Sequence, residues 1–337
     1  MKTAYLCGAG SSYGTLQCHE DCYPPIAAHF GQQLAKRVGQ NLEKEYPTLA
    51  QVASHFGTPL NEIGLEDLWT CIDYHAKFPA TFRIAWEPRG RVVPELKSAL
   101  LCLYGAVCTE IADKLSLEAK YTLRDIIEGL RPGDTLVSFN YDTVVESLCH
   151  RAGKILFHRS APDNNVIRFA KPHGSASWDL MPYNQTRIID LDGEPKRDSL
   201  DRNPLDKDAA RERRVDPLLL GAVPLKSELI SEVAEYYESR RVFDVILGQW
   251  RAVADSIRDC DRLVVLGYRF PAEDTYGRFF YREAMIERKQ RGAAELQVEY
   301  YATCDRVSKE ICSALPGVTA PRFMGKVEPA PRLPSPV

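Results

Sequence analysis

No stretch of the 337-residue sequence approaches the roughly 20 consecutive apolar residues needed to span a bilayer, which argues against a membrane helix. The opening apolar run lacks a basic leader and stops at a glycine turn, so a secretory signal is not expected either. Charge of neither sign prevails: 43 Lys and Arg face 46 Asp and Glu, for a formal net charge of −3. That excludes a generally basic surface, and no direct nucleic-acid partner is predicted. The ten cysteines do not form the framework of a small secreted domain. Cys71, Cys102, Cys108 and Cys149 sit on apolar faces and suit reduced core thiols, as in a cytoplasmic protein. Metal-ligand types crowd at Cys18, His19, Glu20, Asp21 and Cys22. A structural zinc needs four well-placed ligands, and no second Cys pair lies nearby, so no metal is predicted.

What is present is apolar material, 45% of the chain, enough for one large domain or two modest ones. The organising stretch is Thr3 to Ser12, TAYLCGAGSS. An apolar strand running into Gly-x-Gly lets a nucleotide diphosphate approach bare backbone, because a Cβ would hold phosphate oxygens away from the N–H groups. Ser11 and Ser12 add hydroxyl donors. Gly8, Ala9, Gly10, Ser11 and Ser12 are therefore candidate cofactor-binding residues. The usual dinucleotide fingerprint needs a third glycine opening a helix at once, whereas here Tyr13, Gly14, Cys18, Cys22, Pro24 and Pro25 precede any helical spacing. A plain strand-to-loop turn is the alternative.

Apolar residues at Ile26, Phe30, Leu34, Val38 and Leu42 predict an amphipathic helix from Ile26 to Glu45, closed by Pro47. Asn61 to Phe78 and Pro94 to Leu117 read as two more helices. Glu66 on the first of these is read as a surface residue, with a place in the cleft as the alternative. Short apolar runs predict strands at Asp134–Phe139, Lys154–His158, Val166–Lys171, Asp261–Leu266 and Leu296–Ala302. Helices are expected at Thr143–Arg151, Leu225–Ile257, Asp274–Arg288 and from Asp305. The predicted class is α/β, a doubly wound, mostly parallel Rossmann-like sheet. It occupies residues 1–320, with a helical block inserted after the first strand at about 26–130. Ile189 to Val215, dense in both charge signs, reads as a solvated, mobile insertion. Residues 321–337 form a proline-rich tail.

Several strands end in polar or glycine turns, which is where open parallel sheets bind ligands. The turns GAGSS at Gly8, FNYD at Phe139–Asp142, KPHGS at Lys171–Ser175 and GYRFPAED at Gly267–Asp274 together resemble the sirtuin-like domain. More narrowly they are similar to the bacterial sirtuin-like NAD hydrolases of anti-phage defence. The likeness covers Thr3 to about Ala314. It implies that NAD lies across the sheet as substrate, with Gly8, Gly10 and Ser11 at the diphosphate. It places Asn140 and Asp142 at the nicotinamide-ribose end and His173 as the catalytic residue. It also implies Gly267 and Tyr268 near a ribose or phosphate, and Asp305 near the adenosine ribose. A homo-oligomer, or a partner ATPase or other protein of the same defence system, is implied as the restraint on a toxic activity.

The chemistry agrees with that assignment. Cleaving the nicotinamide–ribose bond passes through an oxocarbenium-like state and needs a nucleophile at the anomeric carbon. A neutral His can take a proton from water or a ribose hydroxyl. An Asn amide can hold both, and Asp142 can bind the nicotinamide amide. Taken singly, Asn140 and Asp142 could equally be turn or cap residues, and His173 a structural histidine. Deacetylating sirtuins carry two Cys-x-x-Cys pairs after the catalytic His, and none stands between His173 and Gly267, which disfavours protein deacylation. Arg269 faces a phosphate or solvent. NAD hydrolysis is the leading expectation, with a non-catalytic NAD or ADP-ribose sensor as the rival from another class.

Overall fold

Five residues that are apolar or β-branched, Thr3–Cys7, form a strand buried along its whole length (β1), as expected at the centre of a parallel sheet covered on both faces. The computed structural model describes residues 2–16, 29–77, 92, 95–96, 98–100, 102–103, 122–142, 144–154, 156–157, 167–179, 217–219, 240–271, 274–302 and 306–326. After β1 come α1 (Ala9–Leu16), α2 (Phe30–Val38), a 3₁₀ turn (Gly39–Asn41), α3 (Leu42–Glu45), α4 (Pro47–His55), α5 (Leu65–Lys77) and α6 (Thr122–Gly129). They are followed by β2 (Thr135–Ser138), α7 (Val144–Arg151), β3 (Leu156–Phe157), β4 (Ile167–Ala170), β5 (Gly174–Asp179) and β6 (Pro217–Leu219). The remainder is α8 (Arg240–Asp259), β7 (Arg262–Leu266), α9 (Thr275–Gln290), β8 (Gln297–Tyr301), α10 (Val307–Ala314) and β9 (Arg322–Gly325).

Seven strands pair in the order β3-β4-β2-β1-β7-β8-β9, every neighbouring pair parallel. β5 and β6 make a separate antiparallel pair. Alternation along β1 sends Ala4 and Leu6 into a core with α8, α9 and α10, and Tyr5 and Cys7 into a second core with α6 and α7. Helices on both faces make this the doubly wound α/β architecture that the sequence predicts. The chain fills one side of β1 first and the other side later, so the topological switch point lies between β1 and β7.

Between β1 and β2 the chain builds a core of its own from Phe30, Leu34, Leu49, Leu60, Leu68 and their neighbours. Leu96, Ala99, Leu100 and Leu103, from the expected third helix, are buried in it, while 104–117 lie outside the described residues. The expected single helix to Glu45 is instead broken at Gly39, whose φ of 71° leaves the helical region. Pro47 opens α4 rather than closing the helix before it. Its missing N–H costs nothing at the first position, and the Glu95 carboxylate accepts from the backbone of Thr48 and Leu49 and from the Thr48 hydroxyl.

The sheet also runs further than the sequence suggests, because β9 lies within the segment read as tail. The charged insertion at 189–215, the start of the expected helix at 225–239 and the segment from Glu328 lie outside the described residues. So do Cys18–Cys22, Cys108 and Asp305. Among the described residues no helix is long and apolar enough to cross a membrane, no group of acidic, His and Cys side chains is placed to hold a metal, and Cys7, Cys71, Cys102, Cys149, Cys260 and Cys312 are free thiols.

Candidate functional site

The four turns singled out in the sequence lie on four adjacent strands. KPHGS follows β4, FNYD follows β2, GAGSS follows β1 and GYRF follows β7, all at one carboxyl edge because the strands are parallel.

The glycines at the switch point serve backbone packing. The Gly8 N–H donates to Leu266 C=O at 2.9 Å, Gly10 N–H to Gly267 C=O at 3.1 Å and Ser11 N–H to Gly8 C=O at 2.9 Å. A Cβ on Gly8 would stand 2.6 Å from the Gly267 oxygen, and one on Gly267 would stand 2.4 Å from the Ser11 nitrogen. Neither glycine can be replaced without parting the two turns. Helix α1 starts at Ala9, directly after β1, where the sequence suggests an intervening loop. Three amides expected at a diphosphate are thus committed within the protein. The exposed Ala9 N–H, at the first position of α1, takes no hydrogen bond among the described residues.

Around Gly8 lies a buried polar cluster. Asn140 donates its amide hydrogens to Gly8 C=O at 3.1 Å and to Ser12 Oγ at 2.7 Å. Ser12 Oγ donates to Asp142 Oδ1 at 3.1 Å, and that oxygen also accepts the Val144 N–H, capping α7. Ser11 Oγ donates to Gly8 C=O at 2.7 Å. Asn140 therefore spends both donors internally, and its Oδ1 takes no hydrogen bond among the described residues. Burial raises the Asp142 carboxyl above its ordinary range, opposed by the charge of Lys171 and by the bonds from Val144 and Ser12.

Lys171 is completely buried. Its Nζ reaches Asp142 C=O at 2.5 Å and Glu146 Oε1 at 2.7 Å, so it ties the end of β4 to the turn after β2. Burial raises Glu146 as well, again opposed by Lys171. Two residues further on, His173 lies edge-on to Phe139, with ring centroids 5.2 Å apart, and inclined to Trp250 at 5.7 Å and Tyr141 at 6.5 Å. Its Nε2 stands 3.1 Å from Asp274 Oδ2. The same oxygen accepts the Tyr268 hydroxyl at 3.1 Å, Tyr268 meets Tyr281 at 2.9 Å, and Asp274 Oδ1 accepts the Gly277 N–H at the start of α9.

The Tyr268 ring stacks on Phe139 at 4.1 Å, crossing the end of β1 where Gly8 has no side chain. It is thus packed in the core rather than open at a ribose. Arg269 is exposed. Phe270, buried among Tyr268 and Tyr281, is held at φ 50°, a strained conformation for an aromatic residue that its packing must enforce. Glu66 is half-buried, and burial, with smaller contributions from the charges of Asp274 and Glu66, raises the Tyr141 hydroxyl.

Gly8 and Ser11, expected at the diphosphate, and Asn140 and Asp142, expected at the nicotinamide ribose, are linked with Ser12 in one hydrogen-bonded cluster. Sequence reasoning misses the partnership of His173 with Asp274, which lies 101 residues away and is read in the sequence only as the first residue of a helix. It also misses Tyr281, Glu146 and the buried role of Lys171. No protein-family model matches the chain, and no curated protein matches it.

Proposed function

We propose that the protein is an NAD glycohydrolase that releases nicotinamide and ADP-ribose, and that it acts in bacterial anti-phage defence by depleting NAD. The observation that carries this reading is the convergence of GAGSS, FNYD, KPHGS and GYRF on one carboxyl edge at the switch point of a doubly wound sheet. The sirtuin-like resemblance supplies the reaction. Asn140 Oδ1 holds the water or a ribose hydroxyl, and His173 accepts the proton released as water attacks the anomeric carbon. Asp142, whose Oδ1 caps α7 and receives Ser12, offers its other oxygen to the nicotinamide amide. The diphosphate contact falls to the Ala9 amide at the positive end of α1.

The test is nicotinamide release by the purified chain incubated with NAD. His173→Ala and Asn140→Ala are expected to lower turnover by at least about a hundredfold while keeping the far-UV circular dichroism of the wild type. Equal turnover in both variants would remove them from the site. The rival reading is a sensor that binds NAD or ADP-ribose without chemistry, favoured by the internal commitment of the Ser11, Ser12 and Tyr268 hydroxyls. Saturable binding by calorimetry with no nicotinamide released selects it. Restraint of the hydrolase before infection calls for a homo-oligomer or a partner protein, and sedimentation with and without NAD tests the first.

A further inference from the structure

We propose that the outer face of α9 is an interface between two copies of this chain, paired antiparallel across a two-fold axis that passes between Arg282 and Glu283. The inference rests on one exposed helix face and on none of the chemistry proposed for the site, so nicotinamide release neither supports nor overturns it.

Helix α9 carries two faces with the same spacing. Tyr281, Ala284, Met285 and Arg288 are buried, and the first three belong to the core shared with α8 and the sheet. On the opposite side Phe279, Arg282, Glu283 and Ile286, at i, i+3, i+4 and i+7, are all exposed. Phe279 is 58% exposed and Ile286 46%, two of the four large hydrophobic side chains left so open among the described residues. They stand two helical turns apart, about 10.5 Å, on one stripe. Single exposed apolar residues need no explanation, but two aligned on one helix with a charged pair between them form a patterned surface. Arg282 and Glu283 make no ion pair with any described residue.

A second copy satisfies every position of that stripe. In an isologous contact, if residue i meets residue j of the other copy, j also meets i. With the axis between positions 282 and 283, Phe279 falls opposite Ile286 of the second copy and Arg282 opposite its Glu283, so each contact occurs twice. The next pair outward, Arg278 and Glu287, is again opposite in sign. A parallel pair would instead set arginine on arginine and glutamate on glutamate. Helix α9 is 16 residues long, about 24 Å. The helix pair alone therefore buries less than the roughly 1,600 Å² of a standard-size interface, and the dimer should be concentration-dependent.

Sedimentation equilibrium of the full chain over a range of concentrations tests the proposal. The wild type is expected to pass from 38.0 kDa towards twice that mass as concentration rises. A monomer mass at every concentration overturns the proposal and leaves the face to a different protein. Arg282→Glu and Glu283→Arg each set like charges opposite one another and are expected to weaken self-association at least about tenfold. All the substituted positions are exposed, so the far-UV circular dichroism should stay that of the wild type. Mixed in equal amounts, the two single variants are expected to pair with each other as tightly as the wild type does with itself, because the acidic stripe of one then faces the basic stripe of the other. The double exchange Arg282→Glu/Glu283→Arg is expected to dimerise alone. Self-association unchanged in both single variants, or not recovered on mixing, overturns the assignment of this face.

Discussion

At the scale of single residues, two glycines with similar positive φ separate conformation from packing. Gly153, after α7, has φ 66° and open space where a Cβ would point, whereas Gly267 has φ 56° and three backbone atoms of the Gly10–Ser11 turn within 2.6 Å of that position. Gly153→Ala should cost only the left-handed strain, about 1–2 kcal/mol. Gly267→Ala adds a collision between two backbones that no rotamer change relieves, and its loss should exceed about 4 kcal/mol or prevent folding. Urea unfolding of the two variants makes the comparison, and equal losses would mean that the β1 and β7 turns can part. For Gly8 and Gly10, which pack on Gly267, the signal was legible as Gly-x-Gly after an apolar run, but its meaning was not. Contact between Gly8 and Gly267 spans most of the chain, so bare backbone for a phosphate and bare backbone for a neighbouring strand look alike in sequence. Asn140 is similar: its two bonds close on residues 132 and 128 positions away, and only the resemblance of the whole motif set pointed there.

At the scale of elements, Lys171 fixes the start of α7 against the end of β4, and its removal leaves the partly buried Glu146 carboxylate without its cation. Glu146 Oε1 holds the ammonium and its Oε2 has no hydrogen-bond partner among the described residues. Lys171→Met should therefore cost about 3–5 kcal/mol, and much of that should return in Lys171→Met/Glu146→Leu, where no charge is stranded. The pH dependence follows from the raised carboxyls of Asp142 and Glu146. A folded state that binds these protons more tightly than the unfolded chain gains stability below the ordinary carboxylate range. That gain is lost as pH rises through the raised values. Without Lys171 the values rise further, so the deficit of Lys171→Met should be largest near neutral pH and smaller at about pH 5. Urea titrations at the two pH values check this, and a deficit independent of pH would discard the ion-pair account. The central strands β1, β2, β4 and β7 were legible because buried parallel strands are short apolar runs between breakers. β9 was not, since RFMG is a half-exposed edge without such a run. Pro47 misled because proline ends one helix as readily as it begins the next.

At the scale of the whole molecule, one tripeptide joins three packing environments. Phe139 enters the core shared by β1, β7, α8 and α9, Asn140 turns to Gly8, and Tyr141 enters the separate core of the helical block. Tyr141 also stands 6.5 Å from the His173 ring, so the block and the proposed catalytic histidine share a neighbour. If that shared ring couples them, removing it should loosen the block and the site together while sparing the far side of the sheet. Tyr141→Ala should cost about 3–5 kcal/mol, the range for deleting a buried aromatic ring. It should raise amide exchange in α5 and in the 140–142 turn, leave β7 and β8 protected, and lower NAD turnover. Tyr141→Phe keeps the ring and loses only the hydroxyl near Glu66 and Asp274, so its exchange pattern should stay close to wild type. Hydrogen exchange resolved by peptide separates the outcomes. Faster exchange spread evenly over the sheet would indicate general destabilisation, and an unchanged α5 would show that the helical block holds its place without Tyr141.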